Sequence, residues 1–101
     1  LEAARTYVYR AAWAADHADA FDPKMAAAPK LVASETAFEV TRHALEIFGG
    51  SGVMREVGME KLLRDATIFL HSDGTNTIMR RKIAADFAAR TDEQLDRMWD
   101  W

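Results

Sequence analysis

The feature that most limits the fold is an apolar stripe through residues 23–48, which ends at Gly49 and Gly50. The stripe is too broad for one exposed face, so it predicts a long helix at the centre of a bundle. Pro29 lies within this run, removes a backbone donor and predicts a kink. The two glycines predict a left-handed C-terminal cap. The apolar positions are Leu31, Ala37, Phe38, Val40, Leu45, Ile47 and Phe48.

The N-terminal part of the chain predicts another helix. Residues 1–20 are rich in alanine, the best helix former, and their larger apolar groups suit one helical face. Asp22 and Pro23 predict a break followed by a helix start, because Asp is a preferred cap and Pro suits the first helical position.

The C-terminal half predicts shorter helices. We expect a loop over 51–58, a short helix over 59–66, an extended connection over 67–70 and a helix over 76–89. Capping-box spacing at 91–94 predicts a last short helix that ends near Trp99. The pattern therefore predicts an all-α, up-down bundle of three main and two short helices. On the short helix we expect the ion pairs Glu60–Arg64 and Lys61–Asp65.

Composition narrows the functional class. The chain has 101 residues, 50% hydrophobic and 29% charged, as in a globular domain. A net charge of −3 argues against binding to nucleic acid or an anionic membrane, since both favour a basic surface. No cysteine is present, which excludes disulfides and thiolate chemistry and fits a reducing cytoplasm.

The first residues, L-E-A-A-R, carry neither an initiator Met nor a signal-peptide layout. We interpret this start as lying within a helix and expect the chain to be part of a longer protein.

Local motifs alone give no activity. The G-G-S-G run at 49–52 follows a helix, whereas a dinucleotide fingerprint follows a strand and precedes a helix. Adjacent His71, Ser72 and Asp73 cannot converge as a hydrolytic triad must. His17 and His43 lack partners at metal-ligand spacing, so we expect no metal site.

Three segments together resemble one family. Residues 30–37 read K-L-V-A-S-E-T-A and are similar to A-K-x-x-A-S-E-x-A, and residues 46–52 read E-I-F-G-G-S-G and are similar to Q-I-F-G-G-x-G. Residues 60–66, E-K-L-L-R-D-A, with 73–76, D-G-T-N, and then Arg80, resemble E-K-x-x-R-D-A…E-G-T…R. These motifs are those of acyl-CoA dehydrogenases. The resemblance implies their C-terminal helical bundle over 1–90, followed by a tail with a short helix over 91–101.

The resemblance also implies a function. Family members are FAD-dependent enzymes, usually dimers or tetramers, which remove an α-proton and a β-hydride from an acyl-CoA and pass electrons to electron-transferring flavoprotein. We therefore expect α,β-dehydrogenation of an acyl-CoA thioester by a longer, homo-oligomeric, cytoplasmic protein, or a protein of the mitochondrial matrix in a eukaryote. The isolated chain is expected to be inactive.

Site residues follow from matching positions in the motifs. Asp73 takes the place of the family's catalytic Glu. The resemblance assigns FAD contacts to Glu46, Gly49, Gly50, Thr75 and Thr77, and substrate contacts to Ser72, Gly74 and Arg80. We also expect that Arg80 could orient or tune the Asp73 carboxylate.

Three alternatives remain open. Several relatives place the base on another helix, outside this chain, and Asp73 would then be secondary. Nitroalkane oxidases, which are related in fold, use an Asp at the equivalent place, so a flavin oxidase of that type is a second function. A non-catalytic assembly domain, which only builds an oligomer interface, is a third, and in that case Asp73 would merely cap the following helix.

Overall fold

A computed structural model of the chain describes residues 1–19 and 23–90 together with Gln94 and Arg97, and residues 1–90 of the described part form four α-helices. No strand occurs among the residues described, and the all-α prediction is confirmed. In chain order the elements are α1 (Glu2–His17), a 3-10 helix (Pro23–Ala26), α2 (Ala27–Phe48), a second 3-10 helix (Gly49–Val53), α3 (Met59–Ile68) and α4 (Asn76–Ala88).

Helix α2 is the centre of the structure. It contacts α1, α3, α4 and both 3-10 helices, as its broad apolar stripe predicts. The bundle is elongated, with principal extents of 55 × 23 × 23 Å. Because all the other helices pack against α2, positions along α2 serve to locate the loops and turns of the bundle.

The start and end of α2 differ in detail from the prediction. The run begins as a 3-10 helix, and Pro29 falls in the first turn of α2, where a missing N–H costs no helical hydrogen bond. At the other end Gly49 has φ +59°, but its ψ of −147° lies outside the left-handed helical region, so the predicted left-handed cap is wrong in detail. The chain then continues as a 3-10 helix to Val53, where a loop was expected.

The prediction of an extended connection over 67–70 is wrong. Helix α3 continues to Ile68, and the next residues form turns. The Thr67 hydroxyl donates to the Leu63 carbonyl oxygen at 2.9 Å, so this β-branched residue is satisfied within the helix. Both predicted ion pairs on α3, Glu60–Arg64 and Lys61–Asp65, are present. Asp22 and most of the predicted last helix lie outside the described residues.

Small side chains and methionine form the core. The buried apolar residues are Ala4, Ala27, Met59, Ala66 and Met79, and the described chain has no large side chain that is fully buried. Several large apolar groups stay at the surface, including Trp13 at 63% exposure and Ile47 at 85%. No helix in the described part combines the length and apolar character that a membrane span requires.

A buried polar link joins α2 to α4. Ser34 and Asn76 are both buried, and Asn76 Nδ2 donates to Ser34 Oγ at 2.9 Å. Asn76 Oδ1 accepts a hydrogen bond of 2.7 Å from Lys30 Nζ. No buried side-chain nitrogen or oxygen among the described residues lacks a partner. The link therefore meets the usual requirement that buried polar groups be hydrogen-bonded.

Truncating the buried amide is predicted to weaken the bundle. Asn76→Ala removes one hydrogen-bond partner from each of Ser34 and Lys30 in a buried place and should lower the free energy of unfolding by about 1–3 kcal/mol. The control is Thr77→Ala, an exposed neighbour on the same helix, for which we expect a change within about 0.5 kcal/mol. Urea denaturation followed by circular dichroism measures both. Equal effects of the two substitutions would contradict the role of Asn76.

Candidate functional site

A cleft of about 320 Å³ lies between the N-terminal half of α2 and the turn after α3. It has an apolar side, formed by alanines of α2 and by Phe69, and a polar side that includes Asp73. Of the residues assigned to the site from the sequence, Ser72 and Asp73 lie together here. The lining residues are Lys30, Ala33, Ser34, Ala37, Phe69, Ser72 and Asp73.

The turn that carries Asp73 has an unusual backbone. Asp73 has φ +53° and is the only residue other than glycine with a positive φ in the described chain, and Gly74 follows at φ +95°. Asp tolerates the left-handed region better than most residues, although the conformation still costs about 1 kcal/mol. The Asn76 N–H donates to the Leu70 carbonyl oxygen at 3.0 Å and closes the turn. The Asp73 side chain is thereby held at the exposed mouth of the cleft.

Lys30 connects this turn to α2. Its Nζ donates to the Gly74 carbonyl oxygen at 2.9 Å, in addition to its bond to Asn76 Oδ1. Ser34 lies one helical turn after Lys30, so both reach the same segment. Neither residue was predicted from the sequence to belong to the site. The available signal was their four-residue spacing, but it does not reveal a partner more than 40 residues away.

Thr75, and not Asp73, caps α4. Thr75 Oγ1 accepts a hydrogen bond of 3.3 Å from the Ile78 N–H, at the usual N-cap position. The Thr75 hydroxyl keeps its own proton and can still donate to another group. Thr77 is exposed in the first turn of the same helix. The capping role considered for Asp73 therefore belongs to Thr75, two residues later.

Arg80 forms its ion pair with Glu35 on α2. The contacts therefore do not support the expectation that Arg80 orients or tunes Asp73, because the Arg80 guanidinium pairs with Glu35. Both side chains are about half exposed, so the pair adds little to stability on its own. It gives α4 a second connection to α2, one turn further along α4 and one residue further along α2 than the bond between Asn76 and Ser34.

The other predicted cofactor residues lie at the opposite end of α2. Between Ser34 and Gly50 the helical rise alone gives a separation of about 24 Å. Glu46 is paired with Arg42, which also contacts Glu39 at 3.0 Å. The Glu39 hydrogen bond, with the charges of both carboxylates, raises the pKa of Arg42 above its usual value. Arg42 therefore offsets part of the negative charge of Glu46, since Glu39 shares the same guanidinium.

The glycines after α2 have different surroundings. A Cβ on Gly50 would meet nothing within 4 Å, so this backbone is open to the outside. Gly52 is buried, and a Cβ there would lie 2.9 Å from the Leu45 carbonyl oxygen. The contact of Gly50 with FAD stays a prediction, and the crowding at Gly52 was not predicted from the sequence. Within the bundle the steric requirement for glycine belongs to Gly52.

The histidines do not build a metal centre in the described chain. His17 stacks on Trp13 with ring centroids 4.5 Å apart, and its Nδ1 is 2.8 Å from the Trp13 carbonyl oxygen. His43 lies beside Arg42, with Nε2 at 2.6 Å from a guanidinium nitrogen. In the part of the chain that the structure covers, no cluster of three or more His, Cys, Asp or Glu side chains is suited to a metal ion.

Comparison with known proteins gives a consistent family. Residues 1–88 match the family model described as acyl-CoA dehydrogenase, C-terminal domain. The chain is 45% identical to a probable acyl-CoA dehydrogenase, YngJ, of Bacillus subtilis, over 83% of its own length and 22% of the relative. It is 38% identical to the cyclohexane-1-carbonyl-CoA dehydrogenase of Geobacter metallireducens, over 85% of its length and 22% of the relative.

The chain is also similar to a relative named for a different reaction and to a solved structure. A 3-sulfinopropanoyl-CoA desulfinase of Cupriavidus necator is 42% identical, over 83% of this chain and 21% of the relative. A solved structure described as the electron transferring flavoprotein of Acidaminococcus fermentans superposes with a TM-score of 0.82 at 36% identity, over 88% of this chain and 23% of that one. The chain thus spans about a fifth of the length of the curated relatives it matches.

The two glycines should respond differently to substitution. Gly52→Ala forces a Cβ against main-chain and side-chain atoms of Leu45 and should destabilise the chain by roughly 1–3 kcal/mol. Gly50→Ala, the matched control, meets open space and should stay within about 0.5 kcal/mol. Urea unfolding of both variants tests this, and a greater loss for Gly50→Ala would show that the packing has been misassigned.

Proposed function

This chain belongs to the acyl-CoA dehydrogenase family as its C-terminal domain, and on that premise we propose that it forms part of an FAD-dependent enzyme that desaturates an acyl-CoA thioester between its α and β carbons. The observation that carries the proposal is the placement of Asp73. Its carboxylate lies at the mouth of a half-apolar cleft, on a turn of two positive-φ residues fixed to α2.

The proposed reaction needs a base at the α-carbon. Asp73 would take the α-proton, while bound FAD would accept the hydride from the β-carbon. The thioester would lie along the cleft, with its acyl chain near Phe69, Ala33 and Ala37. As substrate fills the cleft and displaces water, the carboxylate would lose solvation and become a stronger base. Ser72 is half-buried in the same cleft and would contact the acyl group. Gly74 and Arg80 would contribute to the substrate site from beside it.

The residues assigned to FAD suit such a ligand. Thr75 keeps a hydroxyl proton to donate, and Thr77 is exposed beside it. At the other end of α2 the Gly49–Gly50 backbone is open to close approach, and Arg42 offsets the charge of Glu46. We propose that all five residues, Thr75, Thr77, Glu46, Gly49 and Gly50, contact the cofactor.

The distance between the two groups supports an oligomer. The Asp73 cleft and Gly50 are separated by about 24 Å along α2, so they would reach different parts of a cofactor or different cofactors. We propose that the glycine end contacts the FAD of a neighbouring subunit in a dimer or tetramer. The electron acceptor would be an electron-transferring flavoprotein, and the compartment the cytoplasm, or the mitochondrial matrix in a eukaryote.

The names of the relatives agree on the class of substrate but not on the reaction. The three described above are named for CoA thioesters, but one of them is named a desulfinase. A CoA thioester substrate therefore has broader support than dehydrogenation. A nitroalkane-type flavin oxidase remains the second candidate, because it also uses an Asp at the matching position. Steady-state assays of the full-length enzyme with acyl-CoAs and with nitroethane separate the two.

Neutralising the proposed base should abolish turnover. In the full-length flavin enzyme, Asp73→Asn should leave FAD and acyl-CoA binding intact while turnover falls by roughly 10²–10⁴-fold, the usual contribution of a positioned base. Asp73→Glu should stay active with a changed chain-length preference, because its longer arm reaches a differently seated α-carbon.

The control is Asp65→Asn, which removes an exposed carboxylate of α3 that pairs with Lys61. It should keep near-natural turnover. Stopped-flow bleaching of the flavin by acyl-CoA without oxygen measures the chemical step in all variants. Fast bleaching in Asp73→Asn would move the base to another helix.

The isolated chain should not retain FAD. Its proposed contacts are few and lie at two distant ends of α2, so no single enclosed site is formed. Its exposed apolar groups should make it self-associate. Gel filtration with absorbance at flavin and protein wavelengths tests both points, and a stoichiometric yellow monomer would contradict them.

A further inference from the structure

The backbone of the Asp73 turn depends on a side chain outside it. Asp73 and Gly74 both have positive φ, at +53° and +95°. Unusual backbone conformations persist only where surrounding contacts enforce them. The Gly74 carbonyl oxygen directly follows this pair, and it accepts a hydrogen bond of 2.9 Å from Lys30 Nζ. Lys30 thus fixes the plane of the peptide between Gly74 and Thr75, one residue after Asp73.

Lys30 is itself anchored at both ends. Its stem leaves the first turns of α2, the helix on which the whole bundle packs, and its ammonium donates a second hydrogen bond to Asn76 Oδ1 at 2.7 Å. Asn76 is in turn bound to the buried Ser34 on α2. A lysine ammonium has three donors, and here two of them point to neutral oxygens of the turn and of α4. The Lys30 ammonium therefore positions the backbone of the turn at Gly74.

We propose that Lys30 is a positioning residue for the proposed base, and that it holds the Asp73 carboxylate at the α-carbon through the Gly74 carbonyl. The inference rests on the proposed function, since it assumes that Asp73 takes a proton. Lys30 also lines the cleft with Asp73, so both respond to the same bound substrate. Without this bond the Gly74 peptide can rotate, and the carboxylate moves away from its working position.

Kinetics of the flavin-loaded, full-length enzyme test the proposal. Lys30→Met keeps much of the stem and removes the donors. We expect kcat per bound flavin to fall between about tenfold and about 10²-fold, as for a misplacement of order 1 Å, with little change in KM. The kinetic isotope effect with α-deuterated acyl-CoA should rise, because proton abstraction becomes slower than the other steps. Lys30→Arg, which keeps a charged donor, should restore part of kcat.

The control is Lys61→Met, which removes an exposed lysine of α3 outside the cleft and should leave kcat and the isotope effect at natural values. A purely structural Lys30 would lower the thermal midpoint or flavin content without changing kcat per flavin or the isotope effect, and that result overturns the proposal. If Lys30→Met yields no flavin-loaded protein, Lys30→Gln, which removes the charge and shortens the side chain, carries the test. Natural kcat and isotope effect in that variant likewise overturn the proposal.

The two proposals fail in different ways. Fast flavin bleaching in Asp73→Asn would refute the base itself, whatever Lys30 does. Slow bleaching in Asp73→Asn together with natural turnover in Lys30→Met would leave the base in place and refute only its positioning.

Discussion

The buried amide of Asn76 connects the two parts of the bundle that matter for the site. It accepts a hydrogen bond from the Lys30 ammonium and donates one to Ser34, and an ion pair between Glu35 and Arg80 lies one turn further along α4. A buried polar group that loses its hydrogen bond costs more free energy than a satisfied one contributes. The hydrogen bonds of Asn76 therefore favour a single position of α4 against α2. Either α4 docks in this register or the network is broken. The turn that contains Asp73 directly precedes α4, so the position of α4 also fixes the position of this turn.

This polar network matters because the apolar core is modest. Buried alanines let the helices approach closely but remove little apolar area from water, at about 25 cal/mol per Å². Large groups such as Trp13 and Ile47 stay at the surface. Under the proposed function, these surfaces are where the remaining domains and a neighbouring subunit pack. Hydrogen bonds of defined geometry then specify the helix arrangement that a small core cannot specify alone.

Local patterns predicted the helices well and the contacts between them poorly. The apolar stripe located α2, and charge spacing located the pairs on α3. The β-propensity of residues 67–70 was misleading, because Thr67 is satisfied by the Leu63 carbonyl inside a continuing helix. Lys30 and Asn76 could not be paired from spacing, since 46 positions separate them. Likewise, only packing distinguishes the crowded Gly52 from the open Gly50.

The two ends of α2 imply two separable tasks. Asp73 is held near its N-terminal half, and Glu46, Gly49 and Gly50 lie about 24 Å away by helical rise. A rigid helix between them means that neither group can adjust toward the other when a ligand binds. Under the proposed function, contacts at the glycine end would contribute to cofactor affinity and subunit assembly without touching the reacting carbons. The Lys30 and Asn76 contacts would act on the Asp73 end alone. Changes in substrate chemistry would then arise at the turn after α3 while the glycine end stays the same, which fits relatives that are named for CoA thioesters but for different reactions.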